Sequence, residues 1–523
     1  MSTPGTSYRS SMAAGSDRFP HLVRAEFTKF RTVRGWVVGL IVGAGLVFAV
    51  GVLSASGSQR SCVGPHGHLC VAQAPTLAAG GEAVNDQFYF VHQQLVGDGS
   101  LTARLTTFDQ QIPALTDNGA GSGGGGWKAG VVPWAKAGLI VKENTIQGSS
   151  YAAVMATGAH GVRMQYQYTQ DVAGSAETVP KAAPRWLRLT RSGDTVTGFE
   201  SADGHSWTQV GSTRLTGLPS SVQVGLFVAS PEYDVTTSQQ IIGSSTSGGP
   251  SQATATFDSL STQGQLPAGS WQGTQVGDPG GVATGFTQSA GSFTVSGSGD
   301  IAPLAGDGGD NNTISGSLIG AFVALISMVV LGAVFVTSEY RRGLIRTTLV
   351  ASPRRVRVLA AKAVVLASVV FTCGLVVSAV TMWFVDNLRR NNGTYIASAS
   401  SLTEIRVTVG TAALLAVTSV FALAVGAILR RSASAVAVAI ALVVLPYILA
   451  VSSVGALQWL LRVTPAAGFA VQQTLHQYPQ VDGVYVASAG YFPLSPWQGF
   501  AVLLAWTAVA LGLAAFLLRT RDV

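Results

Sequence analysis

Six stretches of this chain carry no charged side chain over a length that can cross a bilayer, and they constrain the fold more than any other feature. They are residues 35–59, 311–338, 363–385, 407–429, 432–461 and 483–518. A spanning helix needs about 20 mostly apolar residues. The runs predict spans at 36–54, 314–338, 359–385, 407–429, 433–454 and 498–518, with a kink at Pro446 in the fifth. Their Gly and Ala content suits close helix packing in lipid. The chain as a whole has only 11% charged residues, well below the roughly 25% of a soluble domain. The fold class expected is a polytopic α-helical membrane protein with six transmembrane helices and an inserted extracellular all-β jelly-roll sandwich.

Charge then orients the spans. The formal net charge of +7 would invite a nucleic-acid partner if taken as one number. No basic, aromatic-lined groove supports that, so no nucleic-acid partner is expected. The N-terminal 35 residues, the loop 339–362, Arg430–Arg431 and the tail 519–523 hold 17 basic and 4 acidic residues, while the rest is net negative. By the positive-inside tendency these four segments face the cytoplasm, with both termini inside and residues 55–310 outside. Arg389 and Arg390 violate the pattern. The first apolar run is longer than a signal-peptide core and follows a long basic region, which favours an uncleaved span.

Between the first two spans lie about 255 residues, too many for a loop. Alternation is plain at Leu101, Ala103 and Leu105, at Val162, Met164, Tyr166 and Tyr168, and at Val222, Val224, Leu226 and Val228. Turn signals stand at Gly97-Asp98-Gly99, Ser192-Gly193 and Asp203-Gly204, and 119–126 reads as a flexible Gly-rich loop. Regular short strands with such turns predict a β-sandwich. Phe88-Tyr-Phe-Val-His-Gln-Gln-Leu, Trp134-Ala-Lys-Ala-Gly-Leu-Ile-Val-Lys-Glu and Trp186-Leu-Arg-Leu-Thr-Arg-Ser-Gly-Asp resemble the concanavalin-like lectin/glucanase sandwich. The strand that opens that family is similar to Gly291-Ser-Phe-Thr-Val-Ser-Gly, which here comes last, so the resemblance implies a permuted domain with both ends at the membrane.

Enzymatic chemistry is poorly supported in this segment. Glucanases of that class place acids as Glu-x-Asp-x-x-Glu, whereas Glu232-Tyr233-Asp234 is followed by Thr237 at the third position, and retaining hydrolysis needs two carboxyls. Trp127, Trp134, Trp186 and Trp207 read first as core and strand packing. An extracellular glycan stacked on an exposed ring is a further candidate partner. Cys62 and Cys70 flank His66 and His68, which permits either a disulfide or metal ligation. The short spacing and an oxidising exterior favour the disulfide, and no metal site is expected. Cys373 reads as a small packing residue.

The span cores contain no Asp, Glu, Lys, Arg or His, which disfavours proton coupling. The chain also lacks a Gly-x-x-x-x-Gly-Lys-Ser/Thr phosphate loop, so ATP hydrolysis and a nucleotide cofactor are not expected of it. The cytoplasmic segments carry the remaining signal. Residues 20–34 place Val23, Phe27 and Phe30 at helical spacing beside basic residues, an interface helix that lies on the lipid bilayer. In the 339–358 loop Leu344, Ile345 and Leu349 stand at helical spacing among arginines, which suits a short docking helix.

Ala25-Glu-Phe-Thr-Lys-Phe-Arg-Thr-Val-Arg-Gly-Trp, Ser338-Glu-Tyr-Arg-Arg-Gly-Leu-Ile-Arg-Thr-Thr-Leu and Leu460-Leu-Arg-Val-Thr-Pro-Ala-Ala-Gly-Phe-Ala resemble the type-2 ABC permeases of actinobacterial exporter type. The similarity covers about residues 20–55 and 314–523. It implies a bacterial plasma-membrane permease, a homodimer or paired permease, and a separate ABC ATPase subunit docking on the loop. Glu339, Tyr340, Arg341, Arg342, Leu344, Ile345 and Arg346 are the docking residues it points to. Short external half-helices within 455–497 are implied near 465–475. The long first insertion departs from the family pattern. A non-transporting receptor that binds cell-wall glycan is the alternative reading.

Overall fold

The computed structural model describes residues 19–57, 62–63, 69–70, 75–114, 126–176, 184–238, 244–267, 269–304, 314–341, 354–392, 396, 399–452, 457–482, 485–487 and 490–520. A helical bundle and a β-sandwich make up the molecule. Helix α1 (Phe19–Thr32) is followed by α2 (Arg34–Ser56), and Val33 between them is extended (φ −85°, ψ 99°), which makes an elbow. The sandwich comes next. The bundle then resumes with a 3₁₀ turn (Ile314–Leu318), α3 (Gly320–Arg341), α4 (Arg355–Asn391), α5 (Ser401–Leu429) and α6 (Ser432–Ser452). A one-turn α7 (Leu460–Val463), a 3₁₀ helix (Pro465–Gln472) and α8 (Pro496–Thr520) complete it. Among the described residues six helices are long and apolar enough to cross a membrane.

Small residues let these helices touch. A Cβ on Gly332 of α3 would stand 2.1 Å from the Ser419 carbonyl of α5, and one on Gly320 would stand 2.4 Å from the Val47 carbonyl of α2. The Gly content noted in the spans is therefore spent on backbone approach, as lipid-embedded packing requires. Helix α6 runs on through Pro446. Before the last span, where short half-helices are expected near 465–475, the described residues form the one-turn α7 and the 3₁₀ helix. That 3₁₀ segment is buried along its whole length against α5 and α8, and Gln472 Nε2 donates to Thr411 Oγ1 at 2.8 Å.

Charge marks one departure of the helices from the expected span limits. The third span was expected to stop at 385, ahead of Asp386, Arg389 and Arg390, yet α4 continues to Asn391. Arg389 is buried there. Its guanidinium donates to the Gly316 carbonyl at 3.3 Å and to Ser54 and Ser317 hydroxyls at 3.4 Å, while Ser317 donates to Asp386 at 2.5 Å. The arginine that breaks the charge pattern thus ties together the ends of three helices at the sandwich end of the bundle. Held through both terminal nitrogens in this way, a buried charge does not force the helix to end.

In the sandwich one 14-stranded sheet folds over on itself. Its spine is β4 (Phe88–Pro113), preceded by β3 (Val84–Asp86). The first half of β4 pairs with β13 (Ser221–Ala229), which leads through β6 (Lys136–Lys142), β7 (Tyr151–Thr157) and β8 (Val162–Tyr166) to β9 (Gln170–Ala173). The second half pairs with β10 (Arg185–Ser192), leading to β11 (Thr195–Ser201) and β12 (Thr208–Arg214). On its other side lie β16 (Gln252–Gln265) and β17 (Gln272–Val276), β19 (Ser292–Gly297) and β18 (Gly285–Ser289) extend from β16, and β5 (Trp127–Ala129) pairs with the end of β4. Strands β14 (Tyr233–Ser238) and β15 (Ser244–Gly249) pair apart from this sheet.

Gly97-Asp98-Gly99 is not a hairpin turn. The strand passes through it, Gly97 takes φ +72°, and β4 exchanges one partner for the other there. A strand that serves both layers at a bend is one way a sandwich makes its corner. The alternating residues Leu101, Ala103, Leu105, Val162, Met164 and Val222 to Val228 fill the core between the layers.

The ends of the inserted domain meet. Strand β3 pairs with β20 (Ile301–Pro303), so Asp86 lies opposite Ile301 and Val84 opposite Pro303. Beneath this pair two lysines of β6 are fully buried. Lys142 Nζ bonds Asp86 Oδ2 at 2.7 Å, which also accepts from Tyr168 OH and Gly148 N at 2.8 Å, and Lys136 pairs with Asp300. Tyr168 leaves the alternation of β8 in a left-handed turn (φ +63°), and its carbonyl accepts from Gln480 of the segment between the 3₁₀ helix and α8, at 3.2 Å. The sandwich therefore rests on the bundle through the turn that also carries its buried tyrosine.

On the same face His92 bonds Gln223 at 2.8 Å and Thr274 at 3.0 Å and stacks on Phe90. Burial pulls its pKa below the ordinary 6.5, with the Gln223 bond opposing. An imidazole held neutral in this way contributes stability above the unfolded value, and that contribution is lost as pH falls through the folded value. The unfolding midpoint of the sandwich should therefore drop on acidification from pH 7 to 5, and His92→Gln should flatten that slope. Equal slopes in melting curves of the two proteins would contradict it.

Candidate coupling site

At the end of the bundle away from the sandwich, four charged side chains from three helices form a closed cluster. Glu26 is the one acid of α1, Glu339 stands near the end of α3, and Lys362 is two turns into α4. Lys362 Nζ lies 2.6 Å from Glu26 Oε2 and 2.6 Å from Glu339 Oε1. Lys29 closes the ring, 2.8 Å from Glu26 Oε1 and 3.3 Å from Glu339 Oε1. Glu26, Glu339 and Lys362 are buried, and Lys362 is only 1% exposed. Burial lowers the Lys29 pKa, but Glu26 and Glu339 raise it by more, and the net is above the ordinary value. Two carboxylates facing two ammoniums satisfy the rule that buried charge must be paired.

Aromatic rings wall the cluster. Phe30 packs edge-on against Phe335 with centroids 5.7 Å apart, Trp36 does so at 4.8 Å, and Lys362 Nζ sits 5.0 Å from the Phe335 centroid. The elbow at Val33 lets α1 fold back so that Phe30 and Trp36 close on the same ring. Neighbouring ties fix the other helix ends. The Arg430 guanidinium lies 5.4 Å over the Tyr340 ring, and Arg355 donates to the Leu518 carbonyl at 2.8 Å. Both ends of the segment that joins α3 to α4 are therefore held to the rest of the bundle.

This geometry redistributes the residues singled out from sequence. Glu339 is buried and bound to lysines, and Tyr340 is packed under Arg430, so neither projects freely. Arg341 ends α3, while Arg342, Leu344, Ile345 and Arg346 lie outside the described residues. Of the interface-helix residues, Phe30 is buried, Val23 packs on the core, and Phe27 is 46% exposed. Cys62 and Cys70 are directly opposed in a two-stranded ladder of β1 (Cys62–Val63) and β2 (Leu69–Cys70), and their side chains lie outside the described residues, as do His66 and His68. Trp134 is buried, but Trp127, Trp186 and Trp207 are not. Glu232 is exposed. Sequence reading missed Glu26 and Lys362. The available signal was a lone acid on a basic helix and a lone lysine at the mouth of an apolar run.

Six apolar helices with an ion-paired N-terminal helix at one end and a β-domain at the other define a multi-pass helical membrane protein. The family model described as ABC-2 family transporter protein matches residues 224–523, from β13 of the sandwich through the last span, and the chain belongs to that family. No curated protein matches it. Among the solved structures that overlap the chain weakly are these two. One is a functionally unknown protein from Saccharomyces cerevisiae (13% identity, 38% of this chain and 84% of that one, TM-score 0.21). The other is Scytalido-glutamic peptidase with a peptide-based transition-state analogue (13% identity, 40% and 98%, TM-score 0.22). Likeness this slight bears on neither fold nor activity.

Proposed function

We propose that this chain is the permease subunit of an ABC exporter in a bacterial plasma membrane, energised by a separate ATPase that docks on the 339–358 segment. Both termini and that segment face the cytoplasm, the sandwich faces outside, and the chain pairs with a second copy or a related permease. The observation that carries the reading is the buried ring of Glu26, Lys29, Glu339 and Lys362. It ties the interface helix to the two helices that flank the docking segment, so a push on either is passed to both. Glu339 and Tyr340 act here as anchors behind the docking surface, and Arg342 and Arg346 as its contacts. Arginines suit that role because their planar forks pair with carboxylates across an interface.

The double charge reversal Arg342→Glu with Arg346→Glu tests this. The expected result is loss of the ATPase that co-purifies with the tagged protein, with unchanged expression and melting temperature. Undiminished co-purification would remove the docking role from this segment.

A further inference from the structure

We infer that the outer face of the second sandwich layer is a binding site for an anionic, hydroxyl-rich glycan, with Arg188 and Trp207 as its recognition pair. The layer built from β10, the second half of β4 and β16 turns its outward side chains into an open cavity of about 610 Å³. Three rows run in register across the three strands. Trp186, Arg104 and Asp258 form the first; Arg188, Thr102 and Ser261 the second; Thr190, Ser100 and Gln263 the third. The alternation that buries Leu187 and Leu189 puts Trp186 and Arg188 outside. Five of these nine side chains, Thr102, Ser261, Thr190, Ser100 and Gln263, are hydroxyls or an amide, groups that both donate and accept.

The charge in this cavity is not neutralised evenly. Arg104 is bound to Asp258 through two bonds of 2.7 and 2.5 Å. Arg188 has no carboxylate partner among the described residues. It donates to Thr102 Oγ1 at 3.1 Å, and its Cζ lies over the Trp207 ring, 3.8 Å from the centroid. A stacked guanidinium keeps part of its fork free for a planar anion. Ring edges beside it suit the apolar faces of sugars.

Two features hold the cavity ready. Strand β16 shifts register between Asp258 and Ser261, and Ser259 at the cavity wall takes φ +52° without being a glycine. Bulges and strained residues of this kind gather where a side chain must be re-aimed toward a ligand. Trp207 follows a turn pinned by the Asp203 carboxylate, which accepts from the backbone of His205 and Ser206 and from the hydroxyls of Ser201 and Ser206. Gly204 in that turn must lack a side chain, because a Cβ would stand 2.8 Å from the Trp186 ring. A rigid aromatic wall, a floor rich in hydroxyls and the Arg188 guanidinium select a polyhydroxylated chain bearing singly charged groups. Of the other charged residues at the wall, Arg191 is spent on the carbonyls of Gly193, Pro219 and Ser220, and Asp98 accepts from Gly193 N at 2.6 Å. A neutral sugar leaves Arg188 unanswered, and an apolar ligand leaves the floor unpaired.

The inference rests on the sandwich being accessible outside the membrane, and the test separates the two. The full chain in detergent is titrated calorimetrically with a galacturonic acid hexamer, a glycerol phosphate oligomer, a cellulose hexamer and inorganic phosphate. Detergent exposes both sides, so a reversed orientation would leave binding intact and would appear only as lost binding to sealed, right-side-out vesicles. At least one acidic oligomer should bind, and which of the two binds identifies carboxylate or phosphate as the anion. The neutral hexamer and phosphate alone should bind at least about tenfold more weakly. Arg188→Gln and Trp207→Ala should each weaken binding about tenfold or more without shifting the melting temperature, and Arg188→Lys should recover part of it. Absence of acidic-oligomer binding, equal binding of the neutral hexamer or of phosphate, or indifference to Arg188→Gln would each overturn the assignment.

Discussion

Replacing Lys362 by methionine is expected to destabilise the helical bundle by about 3–5 kcal/mol, the cost of breaking a buried ion pair from one side. Without Lys362 the Glu26 and Glu339 carboxylates remain buried and share only Lys29, which is 38% exposed. Melting of the solubilised protein reads the loss. The triple variant Glu26→Gln, Glu339→Gln, Lys362→Met removes the charge altogether and should melt closer to the wild type, because a neutral replacement leaves no uncompensated ion. The triple variant should still fail in ATP-driven transport if the ring transmits force between α1, α3 and α4. A Lys362→Met protein that melts as the wild type does would show that the ring does not hold the helices.

Asp86→Ala is the second large effect, also about 3–5 kcal/mol, but confined to the sandwich. Asp86 Oδ2 is the common acceptor for Lys142, Tyr168 and Gly148, so its removal strands a fully buried lysine and breaks the pairing of β3 with β20 nearby. Burial already lowers the Lys142 pKa against the pull of Asp86. Limited proteolysis should cut the sandwich of the variant faster while the spans stay protected. Equal cleavage rates would mean that the domain ends are held by something else.

Much of the architecture is legible in the sequence because lipid and sheet impose simple periods. Charge-free runs reveal the spans, and period-two alternation reveals the core strands. What the sequence hides is pairing between distant residues. Glu26 and Lys362 are 336 positions apart, and nothing local marks them as partners. The same holds for Arg389, whose acceptors on Ser54 and Gly316 lie on other elements; without them, ending the third span at 385 is the natural reading. The wall of the proposed glycan site is legible too. Once Leu187 and Leu189 are assigned to the core, the period of two places Trp186 and Arg188 outside. Turn chemistry misled at Gly97-Asp98-Gly99, where the same glycines that make a hairpin also let a long strand pass from one layer to the other.

We propose that this membrane protein moves its substrate with energy supplied by another subunit. Isolation of the tagged chain from its native membrane, with identification of what accompanies it and assay of ATP hydrolysis by the complex, tests it most directly. The expected result is a stoichiometric partner with a phosphate-binding loop and ATP hydrolysis that disappears with the Arg342→Glu, Arg346→Glu protein. A chain that emerges without such a partner, and with no ATP hydrolysis, would contradict it.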